Sequence, residues 1–152
     1  MERILKTQIV LFTPLGKKLA PLQIVYSDGD IDENLKSEIT IVYDGAEYKG
    51  YGRDYLWTDT LADLEMKLPK DVKIACCTTC RHGNMCPYGQ TENVLFCTKD
   101  LKINDKEDMC NLFDQTNPFE ERSVASFDYC EDFVRQSDDF YTYNDYLYQL
   151  SR

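Results

Sequence analysis

Cysteine is the residue type with the clearest chemical potential in this chain. Five of the seven cysteines and the only histidine lie in residues 76–97, CCTTCRHGNMCPYGQTENVLFC. The stretch contains one C-x2-C pair, whose spacing lets two thiolates converge on one ion, and two further cysteines follow it. Four thiolates arranged in this way predict a structural Zn(II) site with tetrahedral geometry. The predicted ligands are Cys77, Cys80, Cys86 and Cys97.

Two other side chains, Cys110 and His82, are alternative fourth ligands for the predicted zinc. Structural zinc contributes on the order of 10 kcal/mol of apparent binding energy in zinc-finger peptides. The cysteine stretch has few apolar residues of its own, so a metal is the simplest reason for so long an insertion to be ordered.

The same spacing leaves other chemistries open. Disulfides or free structural thiols are one alternative. A thiol oxidoreductase is another, but it places the C-x2-C pair at the start of a helix, and RHGNMCPYG after Cys80 is not typical of a helix. An iron–sulfur cluster also takes four thiolates, although this spacing matches neither common ferredoxin pattern.

The remaining cysteines fit apolar positions better than ligand positions. Cys76 is expected at the buried end of a strand, and Cys130 on the apolar face of a helix. With one histidine there is no Ser-His-Asp arrangement to propose, and the chain has no GxGxxG, Walker or HExxH motif.

The N-terminal part of the chain predicts an antiparallel sheet. Four segments are rich in β-branched or aromatic residues and are separated by turn signals. Pro14 and Gly16 predict the first turn, and Asp44–Gly45 predicts a two-residue hairpin. Pro21 indicates an edge position or a late start for the second strand, and residues 27–34 form an acidic loop. The four segments are ILKTQIVLF, LAPLQIVY, EITIVY and AEYKGYG.

One helix and one strand lead from this sheet to the cysteine stretch. Leu61, Leu64 and Leu68 recur at helical spacing in TDTLADLEMKLPK, and Pro69 ends the helix. DVKIACC then predicts a strand that brings the chain directly to the C-x2-C pair.

Helical spacing also recurs after Cys97. It predicts helices over NDKEDMCNLF, SFDYCEDFV and DDFYTYNDYLYQL, with residues 114–123 as the closest thing to a linker. In the last of these, Tyr143 is expected in the core, while Tyr141 and Tyr148 are expected on an exposed aromatic surface.

Charge is unevenly distributed along the chain. The net charge is −10, and residues 104–152, with 12 acidic and 4 basic residues, account for −8 of it. This acidity disfavours nucleic-acid binding and suits a basic protein partner.

No segment reaches the roughly 18–20 apolar residues of a membrane span, and no signal peptide is visible, so we expect a cytoplasmic chain with reduced thiols.

These patterns together predict an α+β protein with a single domain over residues 1–152. It consists of a β-rich half (1–75) with an antiparallel sheet and one packed helix, a cysteine-rich, zinc-knuckle-like insertion (76–110), and a helical acidic part (111–152).

Several cysteine-containing segments carry a resemblance. CTTCRHGNMCPYG, FCTKD, DMCNLF and FDYCEDF resemble small cysteine-rich bacterial proteins of unknown function over roughly residues 40–135. In those proteins a strand-and-helix half precedes a C-x2-C knuckle, and no catalytic residue comes with the resemblance. In size and acidity the chain is also similar to immunity proteins of bacterial toxin systems.

The functional hypothesis that follows is a non-enzymatic protein-binding domain with structural zinc, of an adaptor or immunity type. The alternatives are a redox enzyme that uses thiols or a metal cluster, and a zinc-dependent nucleic-acid binder. The slightly basic cysteine region, residues 71–103, is the only feature that favours the last of these.

Overall fold

A computed structural model describes residues 2–27, 36–53, 57–89 and 94–151. Its strands are β1 Glu2–Thr13, β2 Gly16–Ser27, β3 Ser37–Tyr43, β4 Ala46–Gly52, β5 Lys73–Ala75, β6 Gly83–Asn84, β7 Val94–Cys97 and β8 Ser123–Ala125. Its helices are α1 Thr58–Lys67, α2 Lys106–Gln115, α3 Pro118–Glu121 and α4 Tyr146–Leu150.

The larger sheet has the strand order β4-β3-β2-β1-β5, and every neighbouring pair is antiparallel. A smaller sheet has the order β6-β7-β8. The predicted N-terminal antiparallel sheet and its packed helix are therefore confirmed. Apart from Ser27, the predicted acidic loop lies outside the described residues.

The turn chemistry follows the sequence at the β3–β4 hairpin. Asp44 and Gly45 both have positive φ, 52° and 79°, which is the left-handed conformation that a two-residue hairpin requires. The register pairs Tyr43 with Ala46 on either side of the turn, so the Asp-Gly prediction is confirmed.

Pro21 lies inside β2 rather than at its start. The β2–β3 ladder begins at Leu22, paired with Ile41, and Pro21 is paired only with Gln8 of β1. A proline is tolerated there because the ladder to β3 begins only at the next residue.

The helix α1 covers the inner face of the sheet. Leu61 and Leu64 are fully buried and Leu68 is almost so, in agreement with the predicted apolar face. A Cβ atom on Gly50 would lie 2.5 Å from the carbonyl oxygen of Thr60. This close approach of helix and strand therefore requires glycine at position 50.

Carboxylates of the same helix cover the end of the β4 edge. The backbone N–H of Tyr51 donates to Asp63 at 2.8 Å, and that of Arg53, just beyond β4, donates to Asp59 at 2.7 Å. Unpaired strand edges invite pairing with another chain, and these two side chains occupy two of the donors there.

The expected helix over SFDYCEDFV is wrong. The backbone carbonyls of Ser126 and Asp128 instead accept hydrogen bonds from Thr78 and Cys77, so they are used in tertiary pairing rather than in local i−4 bonds. Cys130, expected in the core, is exposed because no helix turns it inward.

The side chain of Phe127 enters the core from this non-helical segment. Its ring stacks on Trp57 with the centroids 5.3 Å apart and the planes 4° from parallel. Phe127 thus packs residues 126–128 against the core.

The last predicted helix is much shorter than expected. Only Tyr146–Leu150 is helical, because the backbone N–H of Tyr143 donates to the side chain of Asn84 at 2.7 Å, and the Tyr143 carbonyl accepts from Met85 at 2.7 Å. Tyr146 is the buried tyrosine, not Tyr143, while Tyr148 is exposed as expected.

A buried ion pair joins α1 to the C-terminal segment. The side chain of Glu65 is 2% exposed, and the guanidinium of Arg135 contacts both of its oxygens. Glu65 also accepts from the backbone N–H of Ile74 at 2.9 Å, and the guanidinium lies 5.8 Å from the ring centroid of Tyr146.

Burial alone would raise the pKa of Glu65, but the hydrogen bonds and charge of Arg135 outweigh burial. The pKa is therefore held below the ordinary value near 4.5. A lowered carboxyl pKa stabilises the fold above the unfolded-state pKa, and this contribution is lost as pH falls through the folded-state pKa.

Replacing Arg135 with Met should lower the free energy of unfolding at pH 7 by about 2–3 kcal/mol, because a buried carboxylate is left unpaired. In the variant, burial raises the Glu65 pKa above its ordinary value, so the difference from wild type should begin to shrink as pH falls through that raised pKa and should keep shrinking until pH is below the lowered wild-type pKa. Urea unfolding at several pH values measures the free energy of unfolding of both proteins.

Lys17→Met, which breaks an exposed pair with Glu131, is the control and should leave the free energy of unfolding unchanged. A loss of stability in the Arg135 variant that does not depend on pH would contradict the argument.

Replacing Gly50 with Ala should destabilise the protein by about 1–3 kcal/mol, since the added Cβ must push α1 away from the sheet. Thermal unfolding followed by circular dichroism measures the loss. Lys49→Ala, on the opposite face of the same strand, should have little effect, and equal stability of the two variants would rule out the close approach.

Candidate functional site

The predicted ligand pair, Cys77 and Cys80, forms a tight turn directly after β5. Within it the backbone N–H of Cys80 donates to the Cys77 carbonyl at 3.3 Å, and the N–H of His82 donates to the Cys80 sulfur at 3.5 Å. A Cβ atom on Gly83 would collide with the Cys77 carbonyl, so the chain can fold back this closely only through glycine.

The turn is held against the C-terminal segment by backbone hydrogen bonds. The N–H of Cys77 donates to the Asp128 carbonyl at 2.7 Å. The N–H of Arg81 donates to the carbonyl of Val134 at 2.8 Å, and that of Gln136 donates to the carbonyl of Thr79 at 3.0 Å. The cysteine turn therefore supports residues 126–136.

The structure brings some, but not all, of the predicted ligands together. Burial raises the pKa of both Cys77 and Cys80, and Cys80 and Cys97 are among the neighbouring groups that raise the pKa of Cys77 further.

The two alternative ligands face other partners. Cys110 and Asp114 hydrogen-bond with the hydroxyl of Tyr88 and raise its pKa. The ring of His82 packs against Phe140 with the centroids 5.8 Å apart. Burial and the nearby charge of Arg81 lower the His82 pKa.

The predicted structural zinc is wrong for this structure. Among residues 2–27, 36–53, 57–89 and 94–151, no group of three or more His, Cys, Asp or Glu side chains is arranged to hold a metal ion. The physical reason is that the Cys77–Cys80 turn is fixed by backbone hydrogen bonds, while the side chains of Cys110 and His82 lie against Tyr88 and Phe140. All seven cysteines are free thiols.

The thiols of the turn are poor nucleophiles at neutral pH. Burial, then the neighbouring thiols, raise the pKa of Cys77, and burial raises that of Cys80. Cys76, confirmed as a core residue, has a pKa raised to about 11 by burial. A thiol oxidoreductase needs a lowered pKa, so this geometry does not favour one.

A cleft of about 420 Å³ lies where β5 ends beside β1. Residues 5–10 of β1 form one wall, Leu19 of β2 lies on the rim, and residues 125–129 form the opposite wall. We call this cleft the β1 groove. The sequence patterns did not indicate it, although β1 has twelve residues and β5 only three, and this mismatch in length was the available signal.

The β1 groove has a mainly apolar lining with one charge of each sign. Phe127 and Tyr129 lie on the far wall, and Val10 faces them from β1. Asp128 and Lys6 are the charged groups among the described residues that line it. Apolar lining with a few polar groups is typical of a binding cleft.

A second cleft, of about 440 Å³, lies on the outer face of the sheet. Its lining is more polar, and Lys49 within it already pairs with Glu38 at 3.2 Å and with Glu47 at 3.7 Å. Because these charges satisfy one another, the β1 groove is the better candidate for a partner.

Comparison with known proteins does not identify a family for this chain. No protein-family model matches the sequence, and no curated protein matches it. The resemblance to small cysteine-rich bacterial proteins therefore stays a prediction. In the part of the chain that the structure describes, no helix has the length and apolarity needed to cross a membrane.

Alkylation with iodoacetamide at pH 7.5 should label Cys130 first, because it is exposed, and Cys76 last, because it is buried and its pKa is raised. Peptide mass spectrometry of the native protein over time measures the order. Rapid labelling of Cys80 would contradict the raised thiol pKa and would restore the thiol-enzyme alternative.

Proposed function

We propose that this chain is a non-enzymatic protein-binding domain, of an adaptor or immunity type in the bacterial cytoplasm, and that a protein partner binds in the β1 groove. The observation that carries the proposal is the groove itself, an apolar cleft beside a strand of which β5 covers only Val10, Leu11 and Phe12. A basic partner suits the net charge of −10.

In this role the cysteine turn acts as a scaffold for the groove. Cys77 and Thr78 hydrogen-bond to the carbonyls of Asp128 and Ser126, which belong to the far wall. Lys17 extends this support near the rim, since its ammonium lies 2.9 Å from Glu131 and 5.2 Å from the ring centroid of Tyr129.

The two alternative functions find less support. The raised pKa values of Cys77 and Cys80 weaken the case for a thiol enzyme. A nucleic-acid binder would have to overcome the repulsion between phosphates and a chain of net charge −10.

Replacing Leu19 with Asp should abolish capture of the partner, because a charge on the rim of the groove opposes burial of apolar surface. Leu19 is 65% exposed, so the fold should persist. The assay retains proteins from a lysate of the source cells on the immobilised full chain and identifies them by mass spectrometry.

Leu15→Asp is the matched control, since Leu15 lies in the adjacent turn and is 83% exposed. Proteins retained by wild type and Leu15→Asp but lost with Leu19→Asp support the proposal. Equal retention by all three, or no retained protein, would overturn it.

A further inference from the structure

We infer that the partner binds as an extended segment that joins the larger sheet as a new strand on the open edge of β1. The inference rests on the proposed function and specifies the form of the partner. Its basis is the direction in which the backbone groups of β1 point.

The direction follows from the pairing with β5. The backbone N–H of Ile74 donates to Glu65, and its carbonyl accepts from the hydroxyl of Thr79, so both groups point away from β1. Leu11, which pairs with Ile74, therefore turns its own backbone groups towards β2. Because these directions alternate along a strand, the even-numbered residues of β1 point to the β5 side.

Four even-numbered residues of β1 lie beyond the end of β5: Glu2, Ile4, Lys6 and Gln8. Their outward N–H and C=O groups have no hydrogen-bond partner among the residues that the structure describes. At the opposite edge of the sheet, Asp63 accepts from Tyr51 of β4 and Asp59 accepts from Arg53 just beyond β4. The uncovered stretch of β1 differs from that edge because it lies beside a cleft.

The dimensions suit a short strand. From Ile4 to Gln8 the edge extends about 13 Å at the usual rise of about 3.3 Å per residue, and a partner strand would lie about 4.8 Å away. The β1 groove, of about 420 Å³, lies on that side. An extended segment of about five residues can therefore pair with the edge, and its alternate side chains can contact Phe127 and Val10.

Charge narrows the chemistry of the segment. Asp128 lines the far wall and Lys6 lies on β1 itself, so a basic residue of the segment must lie on the Asp128 side. A segment with alternating apolar residues and one Lys or Arg opposite Asp128 fits these two charges, and the net charge of −10 attracts it at long range. Main-chain hydrogen bonds supply affinity in this mode of recognition, and the side-chain contacts supply specificity.

A second copy of this chain is a less suitable occupant. Two chains of net charge −10 repel each other at long range.

The test screens a display library of random 12-residue peptides on the immobilised full chain and measures the affinity of enriched peptides by fluorescence anisotropy. Gln8→Pro removes an outward donor and leaves the ladder to β2 in place. Gln8→Ala, the control, also removes the side chain that lines the groove but keeps the donor, so Gln8→Pro should bind at least tenfold more weakly than Gln8→Ala. N-methylation of alternate peptide residues should weaken binding to wild type equally, which tests the pairing without altering the fold.

The outcomes separate the two proposals. Enriched peptides with alternating apolar residues and a basic residue, sensitive to Gln8→Pro and to N-methylation, support strand addition. Binding that is lost with Leu19→Asp but unaffected by Gln8→Pro and N-methylation overturns strand addition and leaves the proposed function standing. Self-association lost in Gln8→Pro, measured by analytical ultracentrifugation, overturns the choice of occupant. No enriched peptide together with no captured protein overturns both.

Discussion

The Glu65–Arg135 ion pair holds the two halves of this protein together. Its carboxylate is buried between α1 and β5 and accepts from the backbone of Ile74 as well as from Arg135. A buried carboxylate without its cation is costly, so the C-terminal segment is required at this position. The same segment forms the isolated β-bridge between Arg135 and Cys80. Its earlier residues form the far wall of the β1 groove.

The cysteine turn contributes through its backbone more than through its sulfurs. Its N–H groups and carbonyls bond to residues 126–136, and Gly83 allows the chain to return within contact distance of Cys77. The raised thiol pKa values of Cys77 and Cys80 agree with neutral, packed thiols. The cysteine-rich region, which the sequence indicated as the site of chemistry, therefore has a mainly structural role.

Local patterns predicted the parts of the fold that local forces determine. Alternation, the Asp44–Gly45 turn and the leucine spacing of α1 were enough for the sheet and its helix. The non-helical residues 126–134 have helical spacing, but their backbone groups pair with Cys77 and Thr78, a long-range competition that no local pattern contains. Cysteine spacing likewise could not show that His82 packs against Phe140 and Cys110 lies beside Tyr88, and the groove joins two segments that are distant in sequence.

That distance has a consequence during synthesis. The near wall of the groove ends at Val10, and the far wall begins at Ala125. At about 5–20 residues per second, roughly 6–23 s separate the emergence of the two walls from the ribosome. During this interval the long β1–β2 hairpin is available to chaperones and to other nascent chains. The groove is therefore complete only when residues 125–129 have been translated.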